Sequence, residues 1–310
     1  MPQDLLKRII CESLNLRAYT VTTLSAVREI TSLHGTSPNA TVAMGRTITA
    51  AALLSATLKP DSDQSLLLKI EGSGPIREVH AQADARGNIR RYAANPAPDL
   101  EEDIGGISFS RTIGAGFLTV RKDIGLKEPY SSITPLHAGE IAGDLAYYLT
   151  ASEQVPSAVI IALTLDPDGS VASSGGILVQ TFPDTPDESI TRVERSIASL
   201  GKELGASLRD GADITSVLGE ILAGAPFDVI ESRQIRARCR CSREIIHSAL
   251  LNIHREELED MLIRDHGAEV VCTFCTKKYL FNEHDLEALI TEKNDRMGGK
   301  PSPGNRQGVH

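Results

Sequence analysis

The chain has 310 residues, 41% of them hydrophobic, with a formal net charge of −9, enough length and apolar content for two domains or one large one. The acidic balance, the lack of tryptophan and an aromatic content of 4% argue against a surface that tracks nucleic acid or stacks on bases. No run approaches the roughly 18 continuous apolar residues of a membrane span.

The N-terminal stretch MPQDLLKRIICESLNLR scatters charges among apolar positions and shows no small-residue cleavage site, so it does not read as a signal peptide. The expected location is the cytoplasm, where thiols are kept reduced. Cys11, among Ile9, Ile10 and Leu14, is expected to be a packed core residue. Ala40 to Leu58 predicts a buried helix stopped by Pro60, and Ser65 to Ile70 a core strand. Gly72-Ser73-Gly74-Pro75 is a tight turn without the third glycine and following helix of a dinucleotide site. Arg77–Ala83 and Asn88–Ala94 flank Asp84-Ala85-Arg86-Gly87, a hairpin with glycine at its turn. Gly116 to Lys122 reads as a strand, and Gly139 to Ser152 as an amphipathic helix with Ile141, Leu145, Tyr148 and Leu149 on one face. Val159–Leu165 and Gly176–Thr181 bracket the turn Asp166-Pro167-Asp168-Gly169.

From Thr185 the pattern changes. Thr185-Pro186-Asp187-Glu188 is read as a capping box with proline at the first helical position. It opens a helix with Ile190, Val193, Ile197, Leu200, Leu204 and Leu208 at helical spacing, followed by a second from Ile214 to Leu222. These helices have apolar stripes but little bulk for a core of their own, so they are expected to dock as a linker. The fold class is therefore α+β. An N-terminal mixed sheet-and-helix domain (residues 1–183) precedes a helical linker (184–234), a small C-terminal tetrathiolate zinc module (235–291) and a disordered tail (292–310).

That last module carries the most specific chemistry. Cys239-Arg240-Cys241 and Cys272-Thr273-Phe274-Cys275 form two tight pairs thirty residues apart. Such pairs can place four sulfurs around a tetrahedral Zn²⁺. The same closeness allows local disulfides when the thiols are oxidised. Five arginines (Arg233, Arg236, Arg238, Arg240, Arg243) surround the first pair in sequence, and cationic neighbours lower thiol pKa values. The apolar content here, Leu250, Leu258, Met261, Leu262, Val270, Val271, Tyr279, Leu280 and Phe281, is thin for a free-standing fold, so a metal staple is expected. His247, His254, His266 and His284 are surplus once four thiolates fill the tetrahedron, and are read as surface residues.

From the residues alone, three roles stay open: a structural zinc ribbon, a zinc-ribbon nucleic-acid binder favoured by the arginines but opposed by the acidity, and a thiol-disulfide oxidoreductase. The last needs a helix after Cys272, whereas Lys277 to Phe281 reads as a strand. No Gly-x-Ser-x-Gly elbow or His-Glu-x-x-His helix is present. Arg255 to Asp260 reads as the solvated face of a helix.

The sequence resembles a known family, the bacterial redox-regulated holdase chaperones called heat shock protein 33. The resemblance rests on Cys239-Arg-Cys241-Ser242-Arg243-Glu244, Glu256-Glu257-Leu258 with Met261-Leu262, Cys272-Thr-Phe-Cys275 and Lys278-Tyr279-Leu280-Phe281. It extends through Gly74-Pro75-Ile76, Asp123-Ile-Gly125 with Pro129-Tyr130, Gly139-Glu140-Ile141-Ala142 and Ser152-Glu153-Gln154-Val-Pro156-Ser157. Gly143, Ile245-Ile246 and the longer tail depart from the family pattern. The resemblance implies a non-enzymatic chaperone with one Zn²⁺ per chain on Cys239, Cys241, Cys272 and Cys275. It further implies that oxidants expel the zinc, close two disulfides, and unfold switch and linker, and that a homodimer then binds unfolded client proteins. No membrane or specific nucleic-acid partner is expected. Of the three pairings that four cysteines allow, loop closure favours Cys239–Cys241 and Cys272–Cys275.

Overall fold

The computed structural model describes residues 3–98, 108–137 and 139–298. The chain divides into two compact units, Met1–Cys239 and Arg240–His310.

The first unit runs β1 (Leu5–Cys11), β2 (Leu16–Thr22), α1 (Leu24–His34), α2 (Pro38–Ser55), β3 (Ser65–Gly72), β4 (Glu78–Asp84), β5 (Asn88–Ala93), α3 (Phe109–Ile113), β6 (Gly116–Asp123) and β7 (Tyr130–Pro135). It continues through α4 (Ile141–Ala151), β8 (Ser157–Leu165), β9 (Val171–Thr181), α5 (Asp187–Leu200), α6 (Leu204–Arg209), α7 (Ile214–Ile221), β10 (Asp228–Gln234) and β11 (Arg236–Ala237). Its strands form a five-stranded sheet, ordered β10-β1-β2-β9-β8, and a six-stranded sheet, ordered β11-β5-β4-β3-β6-β7.

The core lies around α2, which touches strands of both sheets. Pro38 opens this helix, and Ser37 Oγ accepts a hydrogen bond from the Ala40 amide. Small side chains let α2 be buried on nearly every face, and a Cβ at Gly45 would stand 2.2 Å from Leu163 Cδ1. The alternation in β3 turns Leu66, Leu68 and Ile70 into the same core. The expected hairpin forms: Asp84 Oδ1 accepts the Arg86 and Asn88 amides, and Gly87 takes φ +83°. The Gly72–Pro75 turn is a packing device. A Cβ at Gly72 would lie 2.0 Å from the Ile113 carbonyl oxygen, so the backbones approach as only glycine permits. The α4 helix buries Ile141, Leu145, Tyr148 and Leu149, the face its periodicity indicates.

The helices α5, α6 and α7 cover the other side of the five-stranded sheet. Val193, Leu204, Ile214, Val217, Leu218, Ile221 and Leu222 share one buried cluster with Ile9, Leu14, Leu16, Ala18, Ile160, Ala162, Ile177 and Val179. Cys11 belongs to this cluster and is 1% exposed. The fit is close over β9, where a Cβ on Gly175 would stand 2.9 Å from Leu208 Cδ1. Polar ties secure the edges: Ser173 Oγ donates to the Gly205 carbonyl at 2.8 Å, and Lys7 Nζ donates to Thr215 Oγ1 at 2.6 Å.

Local details here depart from the sequence reading. Pro186, not Thr185, is the N-cap of α5, and it has no side-chain oxygen to offer the helix. Thr185 Oγ1 instead accepts the Phe182 amide and donates to the Asn15 carbonyl, so its hydroxyl is spent on the connection to β1–β2. The single long helix expected through Leu208 is broken after Leu200, and α6 starts at Leu204.

The chain then re-enters the sheets. Strand β10 pairs antiparallel with β1, and β11 pairs parallel with β5. Ile235 between them is 3% exposed within the main core. A start of the cysteine module at residue 235 therefore does not match the compact units, because Ile235 is an anchor of the first one.

The second unit contains α8 (Arg243–Leu250), α9 (Arg255–Asp260), a π-helical turn (Met261–Asp265), the antiparallel pair β12 (Gly267–Val271) and β13 (Lys278–Asn282), and α10 (Glu283–Gly298). Among the described residues, Leu250, Leu251, Leu258, Cys272, Tyr279, Phe281, Leu286 and Leu289 are its buried apolar residues. Helix α10 occupies 292–298, which the sequence reading assigned to a disordered tail; 299–310 lie outside the described residues.

Candidate metal centre

Cys239 lies two residues after β11, and Cys241 stands immediately before Ser242, whose Oγ caps α8 by accepting the Ile245 amide. Cys272 and Cys275 occupy the turn between β12 and β13. That turn is closed by the Cys272 amide to the Lys277 carbonyl at 2.9 Å and the Thr276 amide to the Cys272 carbonyl at 2.8 Å. Thr276 takes φ +58° to make the reversal. The four sulfurs lie within 4.8 Å of one another, and Cys241 Sγ and Cys275 Sγ are 3.3 Å apart. In a tetrahedral Zn²⁺ site with bonds of about 2.3 Å the sulfurs stand roughly 3.8 Å apart, so the donor set has the size and softness that such a metal takes.

Tyr279 is a participant that sequence reasoning placed only in the apolar fringe. Its hydroxyl donates to Cys241 Sγ at 3.1 Å. That hydrogen bond is the main reason the phenol is held above its ordinary pKa, so it stays protonated and remains a donor. Its place on β13, four residues after Cys275, is the one signal the sequence offered.

The arginines are not the uniform cationic halo their sequence positions imply. Arg233 donates to the Ala85 and Ser55 carbonyls at 2.6 and 2.5 Å within the first unit. Arg236 donates to Gln234 Oε1. Arg243 donates to the Leu280 carbonyl at 2.6 Å, pairs with Asp285 at 2.8 Å and lies 4.4 Å over the Phe281 ring. Arg243 thus braces α8 against β13 and α10. Among the described residues, no histidine or carboxylate joins the sulfur cluster. His266 pairs with Glu283 at 2.6 Å and His247 with Glu292 at 3.5 Å; His254 and His284 are exposed.

With this geometry in place, comparison with known proteins is decisive. A family model described as Hsp33 protein matches residues 4–282. The chain belongs to the Hsp33 family. A 33 kDa chaperonin of Geobacter sp. (strain M21) is 42% identical over 93% of this chain and 97% of the relative. That of Bacillus subtilis (strain 168) is 38% identical over 92% of this chain and 98% of its own length. The crystal structure of the 33 kDa chaperonin (heat shock protein 33 homolog) from Thermotoga maritima superposes with a TM-score of 0.86 at 36% identity, covering 95% of this chain and all of that one. The Hsp33 match ends at Asn282, where β13 ends and α10 begins. Among the described residues no helix is long and apolar enough to cross a membrane.

Proposed function

We propose that this Hsp33-family chain is a redox-regulated holdase of the cytoplasm. It would be silent while Cys239, Cys241, Cys272 and Cys275 hold one Zn²⁺, and able to bind unfolding proteins once the thiols are oxidised. The observation that carries the reading is four soft donors within 4.8 Å of one another in a unit whose apolar core is small. A bound zinc would supply folding free energy to that unit, about 10–16 kcal/mol in comparable small modules. Each disulfide forms as two thiols and one peroxide give one S–S bond and two waters, after which the sulfurs no longer serve as metal ligands. The unit then loses its staple. The surface to be uncovered is the apolar side of the five-stranded sheet beneath α5–α7, together with the helices' own buried stripe, a patch of the kind that binds unfolded chains and promotes dimerisation. The domain division in this reading is a client-binding body, masking helices and a thiol switch.

The test is light scattering from an aggregating client, measured with reduced and with peroxide-treated protein while zinc release is followed with a chromogenic chelator. Suppression only after treatment, with about one zinc released per chain, supports the reading. Equal suppression by both forms, or reduced protein that purifies without zinc, refutes it.

A further inference from the structure

The helices α5–α7 are not joined directly to the cysteine unit. Between them lies Asp228–Ala237, and these residues are fastened to both sheets. In β10, Leu5↔Gln234 through Arg8↔Glu231 and Ile9↔Val229 form a ladder with β1, with Ile230 bulged between the two registers. Arg8 holds Glu231 at 2.9 Å, and Arg233 reaches across to the Ala85 and Ser55 carbonyls. The Ile235 amide donates to the Asp4 carbonyl at 2.9 Å, and the side chain of Ile235 is buried in the main core. In and just beyond β11, the Arg236 and Arg238 amides donate to the Gly87 and Ile89 carbonyls, each at 2.9 Å. The chain passes so close to the β4–β5 turn that a Cβ on Gly87 would meet the Gln234 carbonyl oxygen at 2.1 Å. Cys239 is the next residue after Arg238.

Since β9 holds the other end of α5–α7 in the same sheet, the masking helices form an excursion clamped on both sides. Unfolding that stops at Arg240 leaves both clamps in place. Building on the redox reading above, we propose that Asp228–Ala237 is the coupling strap between sulfur cluster and masking helices: it has to leave both sheet edges before α5–α7 can be released. Both strands stand at the ends of their sheets, so the strap can peel without breaking any ladder but its own. The weakest fastening, two-residue β11, is the one nearest Cys239, and the strongest, Arg233 and the buried Ile235, lie farther along the strap. Peeling therefore starts where the sulfurs let go and meets its main resistance at Ile235, whose side chain must leave the main core.

Two full-length variants test this by hydrogen exchange of α7, read beside zinc release. Leu5→Cys/Gln234→Cys, cross-strand partners in the β1–β10 ladder, is closed to a disulfide under mild oxidation with zinc bound, and peroxide then empties the cluster. Pinned protein should keep α7 protected after the zinc has left, whereas unpinned protein should exchange α7 about tenfold faster or more. Arg233→Ala, with zinc still bound, should speed exchange in both β10 and α7. Equal α7 exchange in pinned and unpinned emptied protein, or loosening of β10 in Arg233→Ala without loosening of α7, overturns the strap and leaves the redox reading standing. Protection of α7 in the emptied, unpinned protein refutes the redox reading itself.

Discussion

At the scale of residues, two side chains carry separate consequences. The Tyr279 hydroxyl donates to Cys241 Sγ, and a hydrogen bond to a thiolate lowers its nucleophilicity. Tyr279→Phe keeps the ring and removes the donor, so peroxide should release zinc roughly threefold to tenfold faster. Stopped-flow zinc release checks this; an unchanged rate would mean that the bond has no kinetic role. Asp4 is buried beneath the first turn of α1, and its carboxylate accepts the Ala26 amide at 2.8 Å. Burial outweighs its backbone hydrogen bonds and raises its pKa. A carboxyl raised on folding contributes stability at pH below its ordinary range, and that contribution is lost as pH rises through the raised value. Asp4→Asn, which retains an acceptor and cannot ionise, should therefore unfold later than the parent at neutral pH and match it near about pH 3. Urea titrations at both pH values measure the difference; a gap that widens toward acid would contradict the burial account.

At the scale of elements, the signals that were legible are those written locally. The apolar run of β3, glycine at the β4–β5 turn and the apolar face of α4 each need only neighbours in sequence. The cysteine spacing is local too, which is why all four sulfurs were legible as one candidate site. What stayed hidden depends on distant partners. Asp228–Gln234, with its polar run Glu231, Ser232, Arg233 and Gln234, falls within 184–234, which the sequence reading assigns to the helical linker; it is a strand because β1 offers a free edge. The roles of Tyr279 and Arg233 are set by contacts across 38 residues in sequence for the first and 148 or more for the second. The order of disulfide closure is also an element-scale matter. With all four sulfurs within 4.8 Å, distance does not choose among pairings, and loop length does. Cys272–Cys275, in its short turn, should close before the tighter Cys239–Cys241 ring. Peptide mapping at early oxidation times decides; a majority of Cys241–Cys275 links, the pair at 3.3 Å, would show proximity winning.

At the scale of the whole chain, the strap makes two truncations informative. A protein ending after Arg238 keeps β10 and β11 but lacks the folded unit beyond them, so its strap should peel part of the time and it should suppress aggregation weakly. One ending after Phe227 loses both strands and should suppress aggregation with no oxidant at all. Light scattering with an unfolding client distinguishes them; equal activity in the two would place control somewhere other than Asp228–Ala237. The α+β class and the existence of a small cysteine unit were legible from pattern changes along the chain. The point of division was not, because Ile235 gives no local sign that its partners lie in the first unit's core.

The ground under α5–α7 has one more property. It is paved with Ala18, Ala162 and Gly175, and α6 presents Gly205 back to it, where a Cβ would lie 2.8 Å from Thr164 Cγ2. At Gly175 and Gly205 a Cβ would crowd the side chains that helix and sheet present to each other. Lift the helices away, and Ile9, Leu16, Ile160, Ile177 and Val179 are bared beside these small residues. On the holdase reading proposed above, a face of aliphatic side chains without charged or hydrogen-bonding groups has little with which to choose between a leucine, a phenylalanine and a valine in a client.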